Sequence, residues 1–556
     1  MSSKDQDSSG SGITSADSKS VGPVGLDNDE KLKEGSSGEI LDGRHTSQVE
    51  NLSDKDDDSP GSTSPRPDGK IELKEEDCYD ALGFSWPRWK RWGIITVIFV
   101  VQTSMNFNAS IYGNAVSGLE DEFNISAQGA RVGQCVFLIL YAFGCELWAP
   151  WSEEFGRWPI LQLSLFFVNI WQIPCALAPN FGTVIVCRGL GGLSSAGGSV
   201  TLGMVADMWE ADDQQYAIAY VVLSSVGGSV VGPIVGGFAE TYLSWHWIFW
   251  LQLIFGAFTQ ALHFFCVPET RVSVLVNREA KRRREAGETN IYGADELKES
   301  RLTFHETVKI WIRPFQMFVF EPIVLCLSML SGFSDALIFT FLESYTPVFK
   351  QWNFSTIALG LAFIPLLVGY FIAWISFLPF IHRDRKIRRI DPDALPPERR
   401  LYWLLWMAPL ETIGLFGFAW TSLGPPNVPW IAPLLFSALV GIANYSIYMA
   451  TIDYMVAAYG PYSASATGGN GFARDFLAGV AAMYSMPFYE NVGSKYKLEW
   501  PTTILGCIAI CVTIPIYVFY FKGYWFRERS KFAQTLASDF KRKNERRAKK
   551  ANKGVA

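Results

Sequence analysis

Gly228-Ser-Val-Val-Gly232-Pro233-Ile-Val-Gly236-Gly237 closes an apolar run that begins near residue 216. Just before it, Arg188 lies inside another apolar run. Glycines four apart give a helix a flat face on which a second helix can approach closely. Pro233 removes a backbone donor beside that face and permits a bend. An arginine within a bilayer-length segment costs several kcal/mol, of the order of 3, unless it meets a partner or water. The stretch therefore predicts a charged pathway next to a tightly packed, bendable membrane helix.

The rest of the chain fits a membrane protein. Of its 556 residues 49% are hydrophobic, a share that a soluble protein could match, but their distribution is uneven. Residues 1–85 hold 9 basic and 20 acidic residues, a net of −11 that leaves +5 for the remainder of a chain whose formal charge is −6. This leader, with Asp54-Lys-Asp-Asp-Asp58 and Ser59-Pro-Gly-Ser-Thr-Ser-Pro65, is expected to be a disordered acidic tail. No apolar core that would make a signal peptide is seen in the first 20 residues. The nine cysteines show no CxxC spacing and read as small apolar packers. Neither a metal site nor a cofactor is expected.

Twelve apolar runs follow, near 93–115, 131–150, 159–178, 183–206, 216–239, 246–267, 322–345, 357–381, 402–421, 430–456, 465–488 and 501–521. Each is about the length needed to span hydrocarbon. They divide into a six-helix bundle at 86–267, a central loop at 268–321 and a second six-helix bundle at 322–521, followed by a basic tail at 522–556. Arginine and lysine concentrate at Arg278–Arg284, at Arg383–Arg400 and after Lys522. Loops rich in these residues stay in the cytoplasm, which puts both termini there. The opposite side carries the sequons Asn124-Ile-Ser126 and Asn353-Phe-Ser355, which are candidate glycosylation sites.

Three patterns sit where a two-fold transporter needs them: Ala149-Pro-Trp-Ser-Glu153-Glu-Phe-Gly156-Arg157, Pro268-Glu269-Thr270-Arg271, and the glycine ladder. With Trp245-His-Trp-Ile-Phe-Trp250, Pro397-Glu-Arg-Arg-Leu401 and Tyr462-Ser-Ala-Ser-Ala466, they resemble the major facilitator superfamily, in particular its fungal twelve-spanning drug:proton antiporters, which include polyamine exporters. The fold this implies is an all-α integral membrane protein of two pseudo-symmetric six-helix bundles. The resemblance makes Glu153, Gly156 and Arg157 a cytoplasmic latch between the halves, although Ala149 and Glu154 depart from the usual pattern. It makes the ladder at Gly228, Gly232, Pro233, Gly236 and Gly237 a gating element typical of exporters. It links Arg188, with Gly192 after it, to proton coupling.

Coupling needs a group that changes charge inside the membrane, and a carboxylate out of water can load and release a proton near neutral pH. Asp335, Asp453 and the pair Arg474-Asp475 are the candidates, with Asp335 the deepest; Glu146, Glu343 and Glu411 read as lying nearer helix ends. Glu343 resembles a carboxylate usual in the family at the end of the seventh helix. For substrate binding between the halves, Asn106, Asn108, Tyr112, Tyr141, Phe339, Asn444, Tyr445 and Tyr448 are polar or aromatic at suitable depth. Aromatic surfaces suit an amphipathic or cationic molecule.

The function expected is proton-coupled export of small drugs, toxins, polyamines or secondary metabolites by a plasma-membrane protein. The protein is expected to act as a monomer and to bind no nucleic acid. The alternatives are a nutrient importer, a transporter-like sensor, or a membrane-embedded transferase. Five histidines and the absence of HExxH and GxSxG motifs weigh against the last.

Overall fold

The computed structural model describes residues 70–210, 213–288, 290–297, 304–390, 395–493, 495–530 and 532–533. Apart from two short strands, β1 (Ile71–Glu72) and β2 (Ile291–Tyr292), the described chain is helical. The first half contains α1 (Arg88–Phe123), α2 (Ala127–Phe155), α3 (Arg157–Ala176), α4 (Phe181–Leu193), α5 (Gly197–Met208), α6 (Gln214–Tyr242) and α7 (His246–Cys266). The linker forms α8 (Val272–Glu285) and α9 (Phe304–Phe320). The second half contains α10 (Pro322–Phe349), α11 (Thr356–Ile390), α12 (Pro397–Thr421), α13 (Ile431–Tyr459), α14 (Ser463–Asn491) and α15 (Glu499–Arg529).

Among the described residues, ten helices are long and apolar enough to cross a membrane. Two further passes complete two bundles of six. One is α14, whose apolar character is diluted by Asn470, Arg474 and Asp475. The other is the run expected to be continuous at 183–206, which is broken into α4 and α5. At the break the Ser164 hydroxyl donates to the Ser194 carbonyl at 2.7 Å and accepts from the Ala196 amide at 2.9 Å. The Trp148 indole donates to the Leu193 carbonyl at 3.0 Å. Non-helical backbone at membrane depth persists only when neighbours satisfy it in this way.

The same local chemistry recurs in both halves. Asn124 and Asn353 adopt left-handed φ values of 50° and 58° after α1 and α10. Two residues on, Ser126 and Ser355 cap α2 and α11, accepting from the amides of Gly129 and Ala358 at 3.1 and 3.3 Å. Asparagine tolerates left-handed turns and serine is a strong N-cap. Each sequon is thus also a turn-and-cap signal, repeated at matching places of the two bundles.

The glycine ladder faces two ways. A Cβ on Gly228 would stand 2.7 Å from the Thr103 carbonyl, one on Gly232 would meet Ser110, and one on Gly236 would meet Asn114, all on α1. Gly237 faces the other half: its Cβ would lie 2.9 Å from the Thr356 carbonyl, and a Cβ on Gly360 would lie 2.7 Å from the Pro233 carbonyl. The halves also meet along α2 and α14.

Residues 70–85, expected to be structureless as part of the leader, are folded. β1 pairs in parallel with β2 in the linker. Leu73, Cys78 and Leu82 are buried against Val276 and Ala280 of α8. The apolar spacing supplies the reason: residues 276 and 280 share one helical stripe, and the leader offers three side chains to cover it. Arg283 donates to the Asp77 carbonyl at 2.9 Å and to Glu279 at 3.1 Å. The Ser-Pro pairs of the leader lie outside the described residues. We call the side that carries this clip and Arg383–Arg389 the basic face.

Leu82→Ala should cost about 2–4 kcal/mol of local stability, read as faster amide exchange across Val272–Glu285 with no change in the spanning helices. Burial pushes the Glu279 carboxyl up, but hydrogen bonds from Arg283 and Arg282 outweigh it and hold the group below its ordinary range. Its contribution is therefore complete above the ordinary glutamate value, about 4.3, and is lost as pH falls through the lowered one. Protection of α8 should fade on that acid limb, and Glu279→Gln should remove the dependence.

Candidate functional site

A cavity of about 250 Å³ lies between the halves toward the basic face. α2 contributes Glu146, α13 contributes Tyr448 and Ile452, and α14 contributes Arg474 and Asp475. Consecutive positions on a helix point about 100° apart, so Arg474 and Asp475 reach different neighbours. The Arg474 guanidinium donates to Asp475 at 3.2 Å, comes within 3.8 Å of Asp335 on α10, and covers the Tyr448 ring at 4.0 Å. Arg474 is 3% exposed and Asp335 8%. Among the described residues the Arg474 Nε and Nη1 have no hydrogen-bond partner. One cation is thus shared by two acids through imperfect contacts, an arrangement that a proton on either acid would rebalance. Three of the four coupling candidates on the C-terminal half (Asp335, Arg474 and Asp475) come together here. Tyr141, its hydroxyl unpartnered, has Arg474, Asp475 and Tyr448 as neighbours.

Arg188 lies elsewhere, inside the first bundle. It donates to the carbonyl and side-chain oxygens of Asn108 at 3.1 and 2.9 Å and covers the rings of Phe137 at 3.9 Å and Tyr112 at 4.8 Å. Gln252 accepts from it at 3.5 Å, and the Tyr112 hydroxyl is used by the Ala130 carbonyl at 2.8 Å. Asn108 and Tyr112, expected in the cavity, therefore form the cage of this arginine. Asn106 binds the Gln102 carbonyl at 3.0 Å in the α1–α6 seam. Tyr445 crosses to the Ala219 carbonyl at 2.8 Å. Phe339 is buried in the core, and Asn444 donates at 3.2 Å to Ser334, which is hydrogen-bonded to Glu411. Glu411, expected near a helix end, is 0% exposed. Of the substrate-binding candidates, only Tyr448 lines the cavity, with Tyr141 behind it.

The motif after α2 makes its contacts within one half. Arg157 binds Asp207 at 3.0 Å and Ser152 at 2.7 Å; Arg271 joins Asp207 at 3.3 Å. The Glu269 carboxylate accepts from the amides of Arg157, Trp158, Thr270 and Arg271 at 2.8–3.2 Å, capping α3 where the positive end of its dipole lies. Gly156 takes φ 104°, and a Cβ there would strike Glu269. Glu153 is half-buried, 3.9 Å from Arg157. This network ties α2, α3, α5 and the segment after α7 into one block. The contacts that cross between halves are made by other groups.

On the basic face Gln215 of α6 donates to Asp453 of α13 at 2.6 Å and accepts from Arg388 of α11 at 2.5 Å. Asp453 also pairs with Arg400, and Asp213 with Arg385. Asp453, expected among the coupling groups, is here a bridging acid. On the opposite face Arg131 of α2 binds Glu343 of α10 at 2.6 Å, and Gln128 donates to the Met483 carbonyl at 2.6 Å. The sequence alone does not single out Arg131, Gln215 or Asp207. Arg131 is visible there as a cation at the start of the second run, but its partner lies 212 positions away.

The comparisons agree with this architecture. Residues 98–483 match the model of the Major Facilitator Superfamily. The MFS-type transporter paaT of Penicillium rubens is 32% identical over 456 residues, covering 81% of each chain. The citrinin biosynthesis cluster MFS transporter mrr1 of Monascus ruber is 29% identical, covering 81% of this chain and 90% of its own. Among solved structures, the proton:xylose symporter XylE bound to 6-bromo-6-deoxy-D-glucose overlays with a TM-score of 0.55 at 17% identity, covering 78% of this chain and 97% of its own.

The hydrogen bond that Gln215 donates to Asp453 crosses between the halves, and one to a charged acceptor contributes about 1.5–3 kcal/mol. Asp453→Asn should therefore weaken closure of the basic face. A cysteine placed at Ala464, on the cavity wall, should be alkylated several-fold faster in that background; an equal rate would show that this contact does not hold the halves together.

Proposed function

The chain belongs to the Major Facilitator Superfamily, and from that premise we propose that this secondary transporter exports small amphipathic organic molecules in exchange for protons. It is a multi-pass membrane transporter and not an enzyme. One observation carries the proposed reading: Arg474, buried at the seam, is shared between Asp335 and Asp475 beside a cavity that reaches the basic face.

With both acids ionised, Arg474 is held by both. A proton on Asp335 removes one attraction and leaves the guanidinium to Asp475 or to a ligand. Cargo and proton then stabilise different arrangements of the seam, and only such a difference can shift the balance between states. Rocking about the Gly237–Gly360 crossing would open either face as the other closes. Relatives named for biosynthetic clusters, such as the Ascochitine biosynthesis cluster transporter of Didymella fabae, support a small organic metabolite as cargo. The basic clusters support cytoplasmic termini, and the exposure of Asn124 and Asn353 on the opposite face supports glycan attachment there. The family resemblance is what supports a plasma-membrane site and export outward. The protein works as a monomer in this reading.

The test is expression in a host stripped of its own exporters, screened with a toxic-compound panel with and without a protonophore. Resistance should vanish with the protonophore. Asp335→Asn should sharply lower it at equal surface level, because that side chain can no longer change charge inside the membrane. Full resistance in Asp335→Asn would remove that residue from the coupling mechanism. Arg188→Ala should also reduce transport at equal surface level, by disordering the cage.

A further inference from the structure

We propose that Glu146 is the docking carboxylate for a protonated amine on the cargo, an assignment that rests on the transport reading above. Glu146 lines the cavity beside Tyr448, Arg474 and Asp475, and is 6% exposed. Neither of its carboxylate oxygens has a hydrogen-bond or ion-pair partner among the described residues. The other seam acids differ: Asp335 and Asp475 have Arg474, Asp453 has Arg400, and Glu343 has Arg131. Arg157 and Arg271 also border the cavity, but both are committed to Asp207.

The position is made by helix packing. α14 passes Glu146 at Gly468, where a Cβ would stand 2.7 Å from each carboxylate oxygen. A residue with any side chain there would push the carboxylate aside. The neighbouring wall is apolar, formed by Leu202, Ile218, Ile452 and Val456. A cavity of about 250 Å³ with one open carboxylate and an apolar wall fits a small organic cation with a hydrophobic body. The Tyr448 ring does not compete for that cation because Arg474 already covers it.

A carboxylate held out of water with no cation is unstable as an anion. Glu146 must therefore carry a proton or accept an external cation. When an ammonium group enters, it keeps its own proton and the Glu146 proton leaves to the basic face; no covalent bond of the cargo changes. The same geometry disfavours an anionic cargo, which would face Glu146 and Asp475 with Arg474 alone to receive it.

The test uses the purified full chain and three probes with one fluorophore: dansylcadaverine, which is cationic, its N-acetyl derivative, which is neutral, and dansyl-aminocaproic acid, which is anionic. Wild type should bind them in that order, with the cation favoured about tenfold or more over the neutral probe. Glu146→Gln should abolish the preference, with folding of the variant read from its helical circular dichroism and size-exclusion profile. Glu146→Asp should keep the preference, and Gly468→Ala should lower it. Equal binding of cation and neutral probe in wild type, a preference that survives Glu146→Gln, tightest binding of the anion, or no binding of any probe would each overturn the assignment. If this ranking fails while pH-driven transport persists, Glu146 alone is removed. If the ranking holds and transport ignores the pH gradient, proton coupling is removed instead.

Discussion

A charge held out of water needs a partner within a few ångströms, and this constraint governs the seam between the two bundles. Arg131–Glu343 on one face and the Asp453 cluster on the other each draw members from both halves. Separating the Arg131–Glu343 face leaves two buried ions without partners at a cost of about 3–5 kcal/mol, unless water enters. Separating the basic face breaks the Gln215 hydrogen bonds to Asp453 and Arg388 and the Asp213–Arg385 pair, while Asp453 keeps Arg400. Opening both faces together sums those costs, whereas opening one while the other holds incurs a single set. In the proposed transport reading, alternation follows from where the charges sit, before any ligand is considered. A cargo or proton then needs to supply only a few kcal/mol of preference to reverse the populations.

The backbone contributes the second half of that behaviour. Three ladder glycines pack α6 onto α1 inside its own bundle, and Gly237 packs the same helix onto α11 across the seam. The first contact fixes α6 within a block. The second, made between Cβ-free surfaces of Gly237 and Gly360, has no side chains to interdigitate and can act as a pivot. The Glu269 cap and the Arg157–Asp207–Arg271 cluster stiffen the block at its basic end. What the motif after α2 supplies in this conformation is rigidity within one bundle.

The fold was legible because hydropathy and basic clusters act over short stretches of chain. Run length found nearly every pass, and the break in the fourth was hidden because Ser194 and Ser195 do not interrupt an apolar average. Their rescuers, Ser164 and Trp148, are visible only in three dimensions. The ordering of residues 70–85 was obscured by acidic composition, although the apolar residues Leu73 and Leu82 carry the contact. In the site, depth along a helix was readable and the direction of a side chain was not. Tyr112 and Tyr448 looked equivalent by depth, yet one encloses Arg188 and the other supports Arg474. Glu146 read as a helix-end acid because its environment depends on Gly468, more than 300 residues away.

The two buried arginines show how similar residues acquire different duties. Arg188 is held by amide oxygens and aromatic rings, with no ion-pair partner among the described residues. Its field is therefore constant, suited to holding helices α1, α4 and α7 in register. Arg474 instead faces Asp335 and Asp475, so its surroundings carry one charge fewer whenever a proton arrives. A fixed cation in one bundle and a switchable one in the other give the molecule an electrical asymmetry that its two-fold backbone does not have. Proton sensitivity through a buried arginine belongs in this reading to the second bundle, while Glu146 places the cargo-linked carboxylate on the facing wall of the first.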